Sequence, residues 1–158
     1  SICVSSQVGC NMGCKFCESG RLKKVRNLEA YEIVQQIMLI ESDIGSRIDS
    51  VVIMGIGEPF DNYDNIMDFI RIINSPYGIN IGARHITVST CGIVPKIYDL
   101  ADKKLGLTLS VSLHASNNTI RSNSMPINHK YDIEELLKAC RYYAQTTNRR
   151  ISFEYAMI

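Results

Sequence analysis

Strand-like and helix-like segments alternate along the chain, and this alternation narrows the possible folds more than any other feature. The strand-like segments are rich in apolar and β-branched residues and span 2–5, 51–54, 85–89, 107–113 and 151–157. Between them, apolar residues recur at helical spacing in 30–44, 66–73, 95–104 and 133–144. Such alternation predicts a parallel sheet with right-handed crossovers, in either an open or a barrel-like arrangement.

Polar residues before two of the helical segments predict N-terminal caps. Asp61 and Asn62 are the candidates for the second helical segment. Asp132 precedes the last one, and Glu135 follows it at the spacing of a capping box.

The composition is that of an ordinary globular domain. The chain has 158 residues, of which 46% are hydrophobic and 21% charged. High apolar content with a net charge of +1 excludes a disordered chain, and no apolar run approaches the ~18 residues of a membrane span. Lys and Arg (17) nearly balance Asp and Glu (16), which argues against a strongly basic nucleic-acid binder. Because the chain starts at Ser1 without Met and stops on an apolar stretch, we expect a fragment of a longer protein.

Small and polar residues follow the strand-like segments. A cysteine-rich loop follows the first segment, and 55–59, 89–92 and 110–114 follow or end the next three. Because ligands bind at the carboxyl ends of strands in parallel α/β folds, these loops predict one shared cleft.

Three of the six cysteines fall within eight residues, as Cys10-x3-Cys14-x2-Cys17. Cysteines this close cannot all cross-link with good geometry, so they predict a soft-metal site in a reducing compartment rather than disulfides. Three thiolates can hold three irons of a [4Fe–4S] cube and leave the fourth iron open. The alternative is zinc, which would need a fourth ligand from elsewhere in the chain: Cys3, Cys91, Cys140, His85 or His114.

The cysteine spacing, with Phe16 before the last cysteine, resembles the signature of radical S-adenosylmethionine (SAM) enzymes. The segment 57–59, Gly-Glu-Pro, resembles the motif with which that superfamily holds the amino group of SAM. Further motifs occur in register at 3–10, 26–28, 54–59, 89–95, 112–114 and 125–128. Together they resemble the RlmN/Cfr family of large-subunit ribosomal RNA adenine methyltransferases, from Cys3 to the last residue.

The resemblance implies an α/β fold, a partial (β/α)6 TIM-like barrel of parallel strands that is truncated here after about the fifth strand. It implies that residues 1–158 form a single radical SAM core domain. The N-terminal accessory domain and the C-terminal segment of the family would then be absent from this chain.

The resemblance also implies the site residues. Cys10, Cys14 and Cys17 would bind the [4Fe–4S] cluster. The positions that match SAM contacts in the family are Gly57, Glu58, Ser89, Ser112, Leu113 and His114. Cys3 matches a catalytic cysteine of the family, the one that helps to resolve a bond between protein and RNA.

In the family, a 5′-deoxyadenosyl radical activates a methyl group carried by a cysteine near the C-terminus. That methyl carbon then adds to carbon 2 or carbon 8 of an adenine. The methyl-carrying position lies beyond Ile158 in the family, so we expect that this chain alone does not methylate RNA.

The implied partners are ribosomal RNA and an electron donor such as flavodoxin or ferredoxin, in a cytoplasmic protein that does not contact a membrane. A basic run beside the cysteine loop is either a solvated face or a contact for RNA phosphates: Lys15, Arg21, Lys23, Lys24 and Arg26. Two alternatives stay open. One is a divergent radical SAM enzyme with another substrate, and the other is a non-catalytic module that binds an iron–sulfur cluster or zinc.

Overall fold

The computed structural model describes residues 1–156, and a sheet of five parallel strands forms its centre. The strands of the chain are β1 (Ile2–Cys3), β2 (Gln7–Val8), β3 (Arg26–Asn27), β4 (Val51–Ile53), β5 (Ile86–Thr90), β6 (Thr108–Ser112) and β7 (Ile151–Glu154). The helices are α1 (Ala30–Ile44), α2 (Tyr63–Asn74), α3 (Val94–Lys103), α4 (Asn118–Ser124) and α5 (Ile133–Thr147). Strands β2 and β3 form a separate antiparallel pair.

The sheet has the strand order β1-β4-β5-β6-β7, so each strand lies beside the next sheet strand along the chain. All of these pairings are parallel. With right-handed crossovers, an order that never reverses places the connecting helices on one side, as in a β/α barrel, whereas a doubly wound sheet reverses its order. The predicted partial barrel of parallel strands, ending at the fifth, is confirmed.

The two faces of the sheet differ in polarity. One face is apolar, belongs to the core shared with the helices, and includes Ile2, Val51, Ile86, Val88 and Leu109. On the other face, the register pairs Ser89 with Ser110 and Ser112 with Glu154. Because paired residues of neighbouring strands point the same way, these polar side chains stand side by side near the carboxyl ends of the strands.

One predicted cap is confirmed and the other is not. The Asp132 carboxylate accepts a hydrogen bond from the Glu135 N–H (2.8 Å) in a complete capping box at the start of α5. Asn62 occupies the N-cap position of α2, but its side chain makes no cap bond. Its amide instead donates to the Ser6 and Leu28 carbonyls (2.8 Å each), which joins α2 to the chain around β2 and β3.

Sequence periodicity does not predict α4 or the β2–β3 pair. Two-residue strands are too short to show alternation, and α4 has only seven residues. At the other end, β7 stops at Glu154, so the predicted strand 151–157 is too long, and Met157 lies outside the described residues. No helix among the described residues is long and apolar enough to span a membrane.

Candidate active site

A cleft of about 330 Å³ opens at the carboxyl ends of the sheet strands. Its volume falls within the range of small-molecule pockets, roughly 300–1,000 Å³. The cysteine loop and the segments that follow β4, β5 and β6 all contribute residues to its wall. The shared cleft predicted from the strand-end loops is therefore present.

Backbone contacts on both sides hold the cysteine loop. The Cys10 N–H donates to a carbonyl of the returning chain (2.8 Å), and the Lys15 N–H donates to the Ser124 carbonyl at the end of α4 (2.9 Å). Gly9 has a φ of +79°, and a Cβ there would lie 2.2 Å from a backbone carbonyl oxygen, so only glycine permits this close approach. The fold itself therefore fixes the loop that carries the three thiols.

The motif cysteines are partly buried and close enough to influence one another. Burial raises the pKa of the Cys14 thiol to about 11, and neighbouring Cys10 and Cys17 add to this rise. Burial also raises the pKa of Cys10. In the metal-free protein these two thiols are neutral near pH 7, so metal binding must release their protons.

The three motif thiols suit a polynuclear centre with one open position. Among residues 1–156, no group of three or more His, Cys, Asp or Glu side chains is close enough to hold one metal ion. All three motif cysteines nevertheless line the same cleft. In a [4Fe–4S] cube each thiolate binds a different iron, so its thiols lie farther apart than the ligands of one zinc ion. The residues present therefore fit a cluster with one iron free of protein ligands.

Glu58 is a buried carboxylate in the wall of the cleft. It is 4% exposed and accepts hydrogen bonds from the Phe60 N–H (3.0 Å), the Thr90 hydroxyl (2.8 Å) and the Cys91 N–H (2.8 Å). Burial raises the pKa of Glu58, these donors lower it, and burial has the larger effect. A cationic group in the cleft would favour the ionised carboxylate, so this wall suits a ligand that carries an ammonium.

A second carboxylate, that of Glu154 at the end of β7, accepts hydrogen bonds from serine hydroxyls on β5 and β6. It accepts hydrogen bonds from Ser110 (2.7 Å), Ser112 (3.2 Å) and Ser89 (3.5 Å). A hydroxyl that donates to a carboxylate has only lone pairs left for a ligand. Ser89 and Ser112, which line the cleft, therefore act as acceptors, and the ligand groups that contact them must be hydroxyl or amino donors.

His114 lies in the cleft with its backbone in the left-handed region, at φ 49°. Its Nδ1 accepts a hydrogen bond from the Ala156 N–H (2.9 Å), which leaves the ring proton on Nε2. The ring packs edge-on against Phe16, with 4.4 Å between the ring centroids. Burial lowers the pKa of His114, so a neutral imidazole presents one N–H donor.

Comparison with known proteins identifies the superfamily of the chain. A family model described as the Radical SAM superfamily matches residues 4–158. The chain belongs to the radical SAM superfamily. Probable dual-specificity RNA methyltransferases RlmN are among its relatives: that of Caldanaerobacter subterraneus subsp. tengcongensis is 63% identical over 156 residues, and that of Clostridium beijerinckii 60% over 158. The alignments cover 99% and 100% of this chain but 45% of each relative, so the chain spans less than half their length.

One solved structure agrees with the superfamily assignment, and a second shares the fold. The crystal structure of a radical SAM methyltransferase from Sphaerobacter thermophilus matches with a TM-score of 0.93 at 47% identity, covering 97% of this chain and 46% of that one. The crystal structure of HydG, a maturase of the [FeFe]-hydrogenase, matches with a TM-score of 0.67 at 18% identity, over 96% of this chain and 33% of that one. The likeness to HydG shows a shared fold alone.

Most residues singled out by the resemblance lie together in this radical SAM chain. Eight of the ten line the cleft: Cys10, Cys14, Cys17, Gly57, Glu58, Ser89, Ser112 and His114. Cys3 and Leu113 are not among the lining residues. Cys3 is exposed on β1 and pairs in register with Val52, on the polar face of the sheet. The side chain of Leu113 packs against the hydrophobic core.

Two residues of this region, Glu154 and Arg121, have no counterpart in the sequence-based predictions. The alternation in 151–157 does place Glu154 on the polar face of a strand, but its serine partners become visible only with the register of β6 and β7. Arg121 is buried on α4 and donates to the Cys91 carbonyl behind the cleft (2.7 Å). The short polar segment that contains it carries no periodicity that could have identified it.

Replacing Gly57 with alanine is expected to distort the loop that carries Glu58. Gly57 has a φ of +108°, and a Cβ there would lie 2.6 Å from the Gln7 Cβ. Such backbone strain costs on the order of 1–3 kcal/mol of unfolding free energy, and the collision adds to it. Gly45→Ala is the matched control, because Gly45 also has a positive φ (+62°) but nothing within 4 Å. Equal losses for the two variants in urea unfolding would show that the collision has no effect.

Proposed function

We propose that this chain binds a [4Fe–4S] cluster through Cys10, Cys14 and Cys17, binds SAM beside it, and serves as the radical-generating core of an RNA methyltransferase. One observation carries the proposal: the motif cysteines and the strand-end residues line a single cleft. This cleft lies in a chain of the radical SAM superfamily that is 63% identical to a probable dual-specificity RNA methyltransferase. In this proposal residues 1–158 are one core domain of a longer protein.

The residues of the chain bind and orient the cofactor in this proposal. When bound, the cluster supplies the one-electron reduction that breaks a carbon–sulfur bond of SAM. Glu58 accepts from the ammonium group of SAM, which would restore its negative charge. Ser89 and Ser112, held as acceptors by Glu154, receive hydroxyl or amino donors of the nucleoside. His114 donates a hydrogen bond to SAM through its Nε2 N–H.

Gly57 and Leu113 complete the proposed SAM contacts, and each would contribute main chain. Gly57 has no side chain, and that of Leu113 packs against the core. Cys3 is proposed as the catalytic cysteine that resolves the bond between protein and RNA. Its exposure on the polar face of the sheet supports this role, because an exposed thiol can reach a bound substrate.

We further propose ribosomal RNA as the substrate, with carbon 2 or carbon 8 of an adenine as the target. Three residues of the basic run are paired with carboxylates: Arg21 with Glu18, Lys24 with Asp61, and Arg26 with Glu32. The other two, Lys15 and Lys23, are exposed and have no carboxylate within 4.0 Å among residues 1–156. These two lysines are therefore the proposed phosphate contacts of the run.

Replacing both Lys15 and Lys23 with alanine is expected to weaken RNA binding several-fold, whatever the RNA sequence. Each lost phosphate contact should reduce the slope of log affinity against log salt by about 0.7–0.9. The control is the double variant Lys103→Ala with Lys104→Ala, at the end of α3 and outside the cleft. Fluorescence anisotropy with a labelled RNA hairpin at several salt concentrations makes the measurement. An unchanged slope for the first variant would remove these lysines from the RNA interface.

An electron donor of the flavodoxin or ferredoxin type completes the proposal, together with a cytoplasmic location. The cluster needs an external one-electron reductant, and free thiols persist where the compartment is reducing. The clustered spacing of the motif cysteines, which suits a metal site better than disulfides, supports this location.

The proposed function is tested by the fate of SAM. The chain is reconstituted anaerobically, reduced with dithionite and supplied with SAM. We expect it to cleave SAM and release 5′-deoxyadenosine, which mass spectrometry quantifies against a Cys17→Ala control. Bound metal with intact SAM would favour the non-catalytic module. Cleavage of SAM with no modification of ribosomal RNA by the full-length protein would favour a radical SAM enzyme with another substrate.

A further inference from the structure

Arg121 is the most buried cation of the described chain. Its exposed fraction is 0%, and it is among the largest fully buried side chains. Five ion pairs with N–O distances of 4.0 Å or less occur among residues 1–156, and none of them includes Arg121. No Asp or Glu carboxylate of these residues therefore pairs with its guanidinium. A buried guanidinium without an anionic partner is unfavourable, so its burial points to an anion that the folded chain alone does not supply.

Neutral acceptors surround the guanidinium. Nη2 donates to the carbonyls of Cys91 (2.7 Å) and Ser112 (3.1 Å), and Nε donates to that of Leu113 (3.2 Å). Nη1 donates to the Asn128 side-chain oxygen (3.2 Å). These bonds join the ends of β5 and β6 to α4 and satisfy most of the guanidinium donors. They leave its positive charge without a compensating negative charge.

The uncompensated charge lies directly behind the wall of the cleft. Cys91 and Ser112, whose carbonyls hold the guanidinium, both line the cleft together with Cys14. The last turn of α4 also contacts the cysteine loop, because the Ser124 carbonyl accepts the Lys15 N–H (2.9 Å). Three metal-bound thiolates would place negative charge on the other side of this wall.

We infer that Arg121 is the counter-cation of the proposed cluster and a positioning residue that raises its reduction potential. The inference rests on the proposed function. A cube held by three thiolates is net negative, and its reduction adds one electron, taken from the external reductant. A fixed cation therefore stabilises the reduced form more than the oxidised form. Because Arg121 is buried, solvent and salt screen its charge far less than that of a surface lysine.

The test is the midpoint potential of the reconstituted chain, titrated with dithionite and redox dyes and followed by the cluster's visible absorbance. Arg121→Met should shift the potential to a more negative value, and Arg121→Lys should shift it less because it keeps the charge. Lys103→Met is the control, since Lys103 is an exposed cation at the end of α3 and does not line the cleft. We expect no comparable shift for that variant.

A second variant addresses the chance that Arg121→Met does not fold. Asn128→Asp puts a carboxylate at hydrogen-bond distance from the guanidinium and cancels its charge while Arg121 stays in place. It should also make the potential more negative. If Arg121→Met and Asn128→Asp both shift the potential no more than Lys103→Met does, the inference alone is overturned. A wild-type chain that binds no cluster would overturn the proposed function and the inference with it.

Discussion

Replacing Cys14 with alanine should abolish cluster binding and leave the fold intact. Cys14 is one of three motif thiols in the cleft, and its loss would leave the proposed cube with two protein ligands. Because the cluster's binding free energy comes from these thiolates, we expect the bound iron to fall at least about tenfold. Iron and sulfide analysis after anaerobic reconstitution gives the result, and circular dichroism of the same samples reports the fold.

Cys91 provides the matched control for this experiment. It is a buried cysteine that lines the same cleft but lies outside the motif. Cys91→Ala is expected to keep its full iron content, and so is Cys3→Ala on the exposed strand. If Cys91→Ala lost metal as Cys14→Ala does, a fourth cysteine would be a ligand, and a zinc-type site would be the better interpretation. Retention of iron by Cys14→Ala would contradict the cluster assignment.

Replacing Glu58 with alanine should cause the largest loss of stability within the cleft. Its carboxylate satisfies the Phe60 N–H, the Thr90 hydroxyl and the Cys91 N–H. A buried donor left without a partner costs about 1–3 kcal/mol, so we expect the unfolding free energy to fall by about 3 kcal/mol or more. Urea unfolding of the metal-free chain measures this loss. Glu18→Ala, on an exposed glutamate, should change stability by less than about 0.5 kcal/mol.

The same side chain predicts a pH dependence of stability. Burial raises the pKa of Glu58 above its ordinary value of 4.5, so the native state keeps a proton that the unfolded state releases. Its contribution to stability is therefore complete below about pH 4.5 and is lost as the pH rises through the raised pKa. The unfolding free energy of the wild type relative to Glu58→Gln should decline across this window in urea titrations. A difference that does not change with pH would show that Glu58 keeps an ordinary pKa.

Periodicity predicted the elements whose buried residues are apolar and failed where the buried residue is polar. In α1, Ile33 and Ile37 are fully buried at helical spacing, so the pattern reveals the helix. In α4 the relation is inverted, because Ile120 is 47% exposed and the buried residue is Arg121. A pattern that assumes apolar residues inside cannot find such a helix. A reason for a buried charge at Arg121 becomes visible only in the fold, which places the guanidinium beside three carbonyls and behind the cleft.

The location of the site was predictable because parallel topology gathers strand ends at one edge. The pairings within the site were not predictable from the sequence. Lys24 belongs to the basic run, yet its ammonium pairs with Asp61, which lies far along the chain (2.7 Å). Glu154 meets Ser110 and Ser112 only because β7 pairs with β6 in one particular register. Sequence spacing does not specify that register, so the serine hydroxyls could not be identified as acceptors.

Cys10, Cys14 and Cys17 are proposed to hold a [4Fe–4S] cluster whose open iron accepts SAM. The most direct measurement is the electron paramagnetic resonance spectrum of the reconstituted, dithionite-reduced chain, recorded with and without SAM. We predict a [4Fe–4S] signal that shifts when SAM is added. A chain that binds only zinc, or a cluster whose signal is indifferent to SAM, would contradict the claim.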